Sequence, residues 1–216
     1  MVWKKEKQGF YKWACYLKAL MLGISFFNIS KNLDAKNLSY MSSSYQVGMV
    51  FMRPLNENKL LQGASILQGY EVNPKNDWVY SRYYVFVDYG NVLFNKDSTL
   101  QANMFTYGVG GDLMVSYTKS PINRWTFFFG LQLAANTWLL NHKVKDLVVN
   151  TWNSLKDFNF NNTYFRAIGK FGVQFRTIVL YHNVDVEIGM KIFLIPERRS
   201  LFERSFLFFV SHAWHF

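Results

Sequence analysis

From about residue 45 to the end of the chain, apolar and polar side chains alternate with a period of two. Val184, Val186, Ile188, Met190 and Ile192 alternate with Asp185, Glu187, Gly189 and Lys191. An extended strand sorts these onto two faces, one aliphatic and one charged. One such strand fits a soluble sheet as well as a membrane sheet, but the pattern recurs. Phe165, Ala167, Gly169, Phe171, Val173 and Phe175 oppose Arg166, Lys170, Gln174 and Arg176. Phe105, Tyr107, Val109, Leu113, Val115 and Tyr117 oppose Thr106, Gly108, Gly110, Asp112 and Ser116. Trp125, Phe127, Phe129, Leu131, Leu133 and Ala135 oppose Gly130, Gln132, Ala134 and Asn136. Tyr83, Val85, Val87 and Tyr89 oppose Arg82 and Asp88, and Tyr45, Val47, Met49 and Phe51 oppose Gln46 and Gly48. With a weaker segment at 62–72 and a closing one at 203–216, eight strands are predicted.

These segments exceed the roughly 5–6 residues of soluble strands and reach the roughly 9–11 that a tilted strand needs to cross a bilayer. The expected short connections are 73–77, 118–123 and 177–183, which carry Asn-Pro, Ser-Pro and His-Asn turn signals. The other four, at 54–61, 91–99, 139–161 and 195–202, are expected to be longer and to face outward. Aromatics gather at strand ends on the apolar face, at Tyr107, Tyr117, Trp125, Trp214 and Phe216, where interfacial girdles belong. Small Gly and Ala residues on the other face, at 108–110 and 130–134, suit a narrow lumen. A competing membrane helix over 125–142, which lacks Asp, Glu, Lys and Arg, is disfavoured by Gln132, Asn136, Thr137 and Asn141 and by the alternation itself. The pattern therefore predicts an all-β fold, an eight-stranded antiparallel transmembrane β-barrel.

Composition supports that reading and removes others. The 216 residues are 50% hydrophobic and 19% aromatic, yet mean hydropathy is −0.05, too low for a bundle of membrane helices. One cysteine excludes a disulfide scaffold and a multi-thiolate zinc site. The formal net charge of +10 is uneven along the chain. Lys4, Lys5, Lys7, Lys12 and Lys18 precede an apolar run at 19–29, and Leu33-Asp34-Ala35 closes the segment. This order predicts a cleaved signal peptide at 1–35 and a barrel at 36–216. The leader holds six Lys and two acids, so +4 of the +10 and the lone Cys15 leave with it. The remaining +6 gives no reason to expect a nucleic-acid partner.

Several motifs, in order, resemble the Helicobacter outer membrane protein family, the Hop, Hor and Hof group. They are Ser43-Ser44-Tyr45-Gln46-Val47-Gly48, residues 81–90 (SRYYVFVDYG), residues 105–113 (FTYGVGGDL), residues 129–134 (FGLQLA) with Thr137-Trp138, and Ile188-Gly189-Met190-Lys191-Ile192 before Pro196. The resemblance implies a β-barrel in the outer membrane of a Gram-negative cell. Larger members carry a big extracellular domain between the first two strands, some of them acting as adhesins. This chain has only the short stretch from Pro54 to Leu61 there, so adhesion through such a domain is not carried over.

The candidate functional residues fall into three groups. The ending 206–216 places Phe208, Val210, Trp214 and Phe216 on one face and finishes in Phe. It resembles the signal read by the barrel-assembly machinery, a transient partner that would engage the strand edge by β-augmentation; His212 interrupts the apolar face. The polar face predicts a lumen of nearly balanced charge, with Arg82, Arg166, Lys170, Arg176 and Lys191 against Asp88, Asp112, Asp185 and Glu187. In a narrow barrel these should form a packed ion-pair network, because buried charges need partners; a proton or ion path is the alternative. Leu147, Val148, Trp152 and Leu155, with Val144 and Thr151, fall at helical spacing, predicting one amphipathic helix in the outer loop that caps the mouth or lies on the outer leaflet.

No catalytic, metal or cofactor motif emerges. The four histidines, His142, His182, His212 and His215, lack metal-ligand spacing, and His212 and His215 face opposite sides of a strand. Gly108-Val109-Gly110-Gly111 lies on a strand and not in a nucleotide loop. The sequence thus points to a non-enzymatic surface barrel of the bacterial outer membrane, its lumen largely filled, with membrane lipid as partner and any host or surface ligand unidentified. The alternatives are a narrow channel for small solutes and, more remotely, an outer-membrane enzyme.

Overall fold

The computed structural model describes residues 37–52, 56–72, 78–93, 101–118, 123–141, 146, 163–179, 182–195 and 202–216. The strands are β1 (Asn37–Met52), β2 (Glu57–Val72), β3 (Val79–Leu93), β4 (Gln101–Ser116), β5 (Arg124–Leu140), β6 (Thr163–Val179), β7 (His182–Phe193) and β8 (Phe202–His215). They form a closed barrel in sequence order, antiparallel at the β1–β8 closure and along the ladders from β2 to β8. The segment weighed as a membrane helix is strand β5, and among the described residues no helix is long and apolar enough to cross a membrane. The signal segment 1–35 and the outer-loop helix residues Leu147, Val148, Trp152 and Leu155 lie outside the described residues.

Even strand number brings both ends of the barrel to one rim. The longest connection, between Leu140 and Thr163, opens at the opposite rim, the outward one in barrels of this kind. Two expectations need correction. The first outer connection is not 54–61, because β2 already begins at Glu57. Glu57, Asn58 and Lys59 make the outward start of the strand polar, and Lys59 pairs with Glu57 at 2.6 Å. The first outer connection is therefore not a long one. It turns through Asn56, whose φ of 52° lies in the left-handed region that Asn tolerates. At the inner rim the 177–183 turn shrinks to the two residues between Val179 and His182.

Alternation divides the side chains cleanly. Tyr45, Ile66, Val87, Val109, Leu131, Phe165, Ile188 and Val210 stand exposed on the outer surface, where a bilayer would receive them. Aromatic pairs stand towards both rims: Tyr70–Tyr83 and Trp125–Phe175 at the inner one, with centroids 5.9 and 4.8 Å apart, and Tyr89–Phe105 at the outer one at 5.3 Å.

The closing seam carries the one shift of register in the described ladders. Gly48 pairs with Leu207 but Val50 pairs with Arg204, so β8 advances three residues while β1 advances two. This is a β-bulge at Ser205 and Phe206, and it reverses which parity faces inward. Below it Leu207, Phe209, Ser211, Ala213 and His215 are buried; above it Phe202 and Arg204 are.

Candidate functional site: the charged lumen

The nine charged residues read from the alternation, Arg82, Asp88, Asp112, Arg166, Lys170, Arg176, Asp185, Glu187 and Lys191, all face the lumen and are buried. They do not form one continuous network. Instead they divide into tiers along the barrel axis, joined by residues that the sequence reading left out.

The tier at the inner rim centres on Arg176, which lies opposite Asp185 across the β6–β7 hairpin. Its Nε donates to Asp185 Oδ1 at 2.7 Å, and Nη2 donates to Asp185 Oδ2 at 2.9 Å and to Glu71 Oε1 at 2.8 Å. His215 Nε2 lies 2.6 Å from Asp185 Oδ2 and 3.1 Å from Arg176 Nη2. Both Nη2 hydrogens are already directed at carboxylates, so Nε2 of His215 is the donor to Asp185. Gln174 also donates to Asp185 Oδ2 and accepts from the Tyr80 hydroxyl at 3.0 Å. Glu71, Asp185 and His215 offer three ligand atoms within 4.8 Å of one another, a spacing that could hold a metal ion. Arg176, however, is hydrogen-bonded to Glu71 and Asp185 and within 3.1 Å of His215, and its charge stands where the cation would.

The central tier is a quartet of two cations and two carboxylates from four strands. Arg82 donates to Asp112 Oδ2 at 2.9 Å and to Glu187 Oε1. Lys170 donates to Asp112 Oδ2 at 3.0 Å and lies 3.7 Å from Glu187 Oε2. The remaining lone pairs are also used: the Tyr84 hydroxyl donates to Asp112 Oδ1 at 2.7 Å and Ser211 to Glu187 Oε2 at 3.2 Å. Gln132 then donates to the Tyr84 oxygen at 3.0 Å. Two glycines make this close approach feasible. A Cβ at Gly110 would meet the Tyr84 ring, and one at Gly130 would meet the Asp112 carboxylate. Tyr40 links the two tiers: its ring stacks on His215 at 5.8 Å, and the Arg82 guanidinium lies 5.4 Å from its centroid.

Above the quartet, Lys191 donates to Asp88 Oδ2 at 2.7 Å. Arg166 donates to the carbonyl of Ile195 at 2.8 Å. Arg204, Asn136 and Thr106 are also buried at this level, and the rest of the outer third is apolar. Trp138 packs on Phe202 at 4.3 Å, with Val50, Met52, Leu61, Val92, Ala102 and Met104 buried around them. A cavity of about 20 Å³, lined by Ser42, Ser65, Lys170, Lys191 and Glu187 together with Leu67 and Phe209, lies beside the quartet. That volume holds one water molecule.

Sequence reasoning missed Glu71, Arg204 and His215 as lumen residues of this set. For His215 the signal was present, since its parity opposes His212. His212 itself faces outward, its ring edge against Trp214 at 4.0 Å. Phe208, Val210, Trp214 and Phe216 are exposed on the outer surface, and the Phe216 amide donates to the Ser39 carbonyl at 2.9 Å across the seam.

Residues 65–216 match the sequence pattern of the family described as Helicobacter outer membrane protein. No curated protein matches the chain in sequence. Among solved structures, the attachment invasion locus protein Ail of Yersinia pestis, in complex with the heparin analogue sucrose octasulfate, is similar at 9% identity and a TM-score of 0.45, over 84% of this chain and 99% of that one. Neisserial surface protein A is similar at 15% identity and a TM-score of 0.45, over 82% and 95%. The N-terminal β-barrel domain of Pseudomonas aeruginosa OprF is similar at 11% identity and a TM-score of 0.38, over 82% and 97%.

Proposed function

The chain belongs to the Helicobacter outer membrane protein family, and from that premise we propose that it works as a non-enzymatic surface barrel whose lumen is a structural core and not a conduit. Membership makes it an integral β-barrel of the bacterial outer membrane. The observation that carries the filled-lumen reading is the central quartet. Arg82, Lys170, Asp112 and Glu187 span the interior and neutralise one another, and the described cavity beside them admits one water. An ion crossing this tier would have to separate buried charge pairs that are hydrogen-bonded on both sides.

The last strand supports a role in biogenesis. Phe208, Val210, Trp214 and Phe216 form an outward ridge interrupted at His212, next to a strand edge that pairs with β1 only when the barrel closes. Before closure that edge offers free backbone groups to the assembly machinery. Any surface ligand would meet the outward connections.

Planar-bilayer recording of the purified, folded barrel tests the reading. The expected result is no steady unitary conductance. Reproducible unitary steps at neutral pH would overturn the filled lumen in favour of a narrow channel.

A further inference from the structure

Below the outer third of the lumen, buried cations meet carboxylates; around Arg204, buried hydrogen-bond donors outnumber acceptors. Arg204 is 2% exposed, and its Nη2 donates to Asn136 Oδ1 at 2.6 Å. The Thr106 hydroxyl donates to the same oxygen, also at 2.6 Å. Two donors on Oδ1 fix the orientation of the Asn136 amide. That leaves Arg204 Nε and Nη1, Asn136 Nδ2 and the Trp138 indole Nε1 buried with no hydrogen-bond partner among the described residues. Asn136 and Trp138 are completely buried and lie two residues apart on the inward face of β5. The guanidinium sits 5.8 Å from the Trp138 ring centroid and 4.2 Å from that of Phe193.

The charge count on this level is uneven as well. Asp88 shares a rung with Thr106 and Asn136; its Oδ2 accepts from Lys191 at 2.7 Å, and its Oδ1 is buried with no hydrogen-bond partner among the described residues. One carboxylate therefore faces two cations, Lys191 and Arg204. The Arg166 guanidinium lies against the same Phe193 ring at 5.8 Å. A buried charge without a counter-charge is among the costliest arrangements in a protein interior, and unsatisfied buried groups point to a bound water or ion. Water supplies lone pairs but no charge. A small anion supplies both.

We propose that the outer third of the lumen binds a monovalent anion of halide size, held by Arg204 Nε and Nη1, Asn136 Nδ2 and Trp138 Nε1. The set contains a charged donor, an amide and an indole, and no acceptor among its free atoms. An ion with one negative charge and no directional demands satisfies it, whereas a bulky organic anion would have to displace Phe202 from Trp138.

The test uses the full barrel folded in detergent micelles, unfolded in urea at constant ionic strength with sodium chloride, bromide or gluconate. The expected result is a higher urea midpoint in chloride and bromide than in gluconate, because an anion bound only by the folded state stabilises it. Asn136→Asp, isosteric and placed on the Arg204 guanidinium, supplies the missing carboxylate from within; its midpoint should be the same in all three salts. Arg204→Gln should lose the halide response too, and if that variant does not fold, the Asn136→Asp comparison stands alone. Equal midpoints for the unaltered barrel in chloride and gluconate would overturn the proposal, leaving water as the partner of these donors. A halide shift that persists in Asn136→Asp would overturn it by placing the ion elsewhere. In bromide-soaked crystals the anomalous peak is expected between Arg204 and Trp138, and a peak only at the surface would overturn the site.

Discussion

The centre and the outer third of the lumen are built from the same eight strands with the same inward periodicity, yet they are held by different forces. The centre is a charged lattice in which Arg82, Lys170, Asp112 and Glu187 tie β3, β4, β6 and β7 together across the interior. The outer third is mainly a packed apolar layer of Trp138, Phe202, Met52, Leu61, Val92 and Met104, with the Arg204–Asn136–Thr106 group set into it. Directional bonds in the first fix which strand lies opposite which; shape filling by the apolar side chains of the second tolerates exchange of one hydrophobe for another. A barrel too narrow for a pore thus acquires two kinds of core, one setting arrangement and one setting volume.

The sharpest way to break this contrast is to unbalance the centre. Arg82→Met removes the cation that joins Asp112 to Glu187 and leaves two buried carboxylates with Lys170 alone. Breaking a buried pair from one side costs about 3–5 kcal/mol, read as a loss in unfolding free energy in micelles. The double variant Arg82→Met with Glu187→Met restores neutrality and should recover most of that loss. A single variant that costs less than about 1 kcal/mol, the worth of an ordinary neutral hydrogen bond, would show that the quartet is hydrated and not a core.

In the outer layer the corresponding change is Met104→Ala. It leaves a cavity beside Gly90, where the Met104 methyl now sits, and should cost about 2–3 kcal/mol. The residue shares no partner with Arg82, so the two losses should add to within about 0.5 kcal/mol. A strongly non-additive double variant would mean that the two layers act as one cooperative core.

These differences were only partly legible in the sequence. Face assignment by alternation was readable wherever apolar residues mark the lipid side, as in β5 and β7. It weakened in β2, where Gln62 and Gln68 point outward and Leu61 and Leu67 inward, inverting the polarity signal and hiding Glu71. It misses Arg204, because counting back by twos from Phe208 and Phe206 puts residue 204 outside, and only the bulge at Ser205 and Phe206 turns it in. Pairing was readable across hairpins, as for Arg176 with Asp185. Contacts through the lumen were not: Arg82 reaches Glu187 105 residues away, and no local pattern encodes that choice. The terminal apolar ridge was readable because lipid exposure demands it, whatever else reads it.

The finest form of the comparison lies on a single strand, between His212 and His215. Three residues apart on β8, they face lipid and lumen respectively. His215 donates to Asp185 inside the Arg176 cluster and stacks on Tyr40, so His215→Leu leaves an acceptor and a charge under-satisfied and should cost about 1–2 kcal/mol. His212 lies opposite Ser43 and Val186, one outward position above Trp214, with no side-chain hydrogen bond to lose among the described residues. Its ring works there as an interfacial partner for the indole edge, and His212→Leu should change stability by no more than about 0.5 kcal/mol. Urea unfolding of the two variants side by side checks this. If His212→Leu proved the costlier of the two, the outward ring would have a polar partner in the membrane interface, and the strict division of β8 into a lipid face and a lumen face would fail at its inner end.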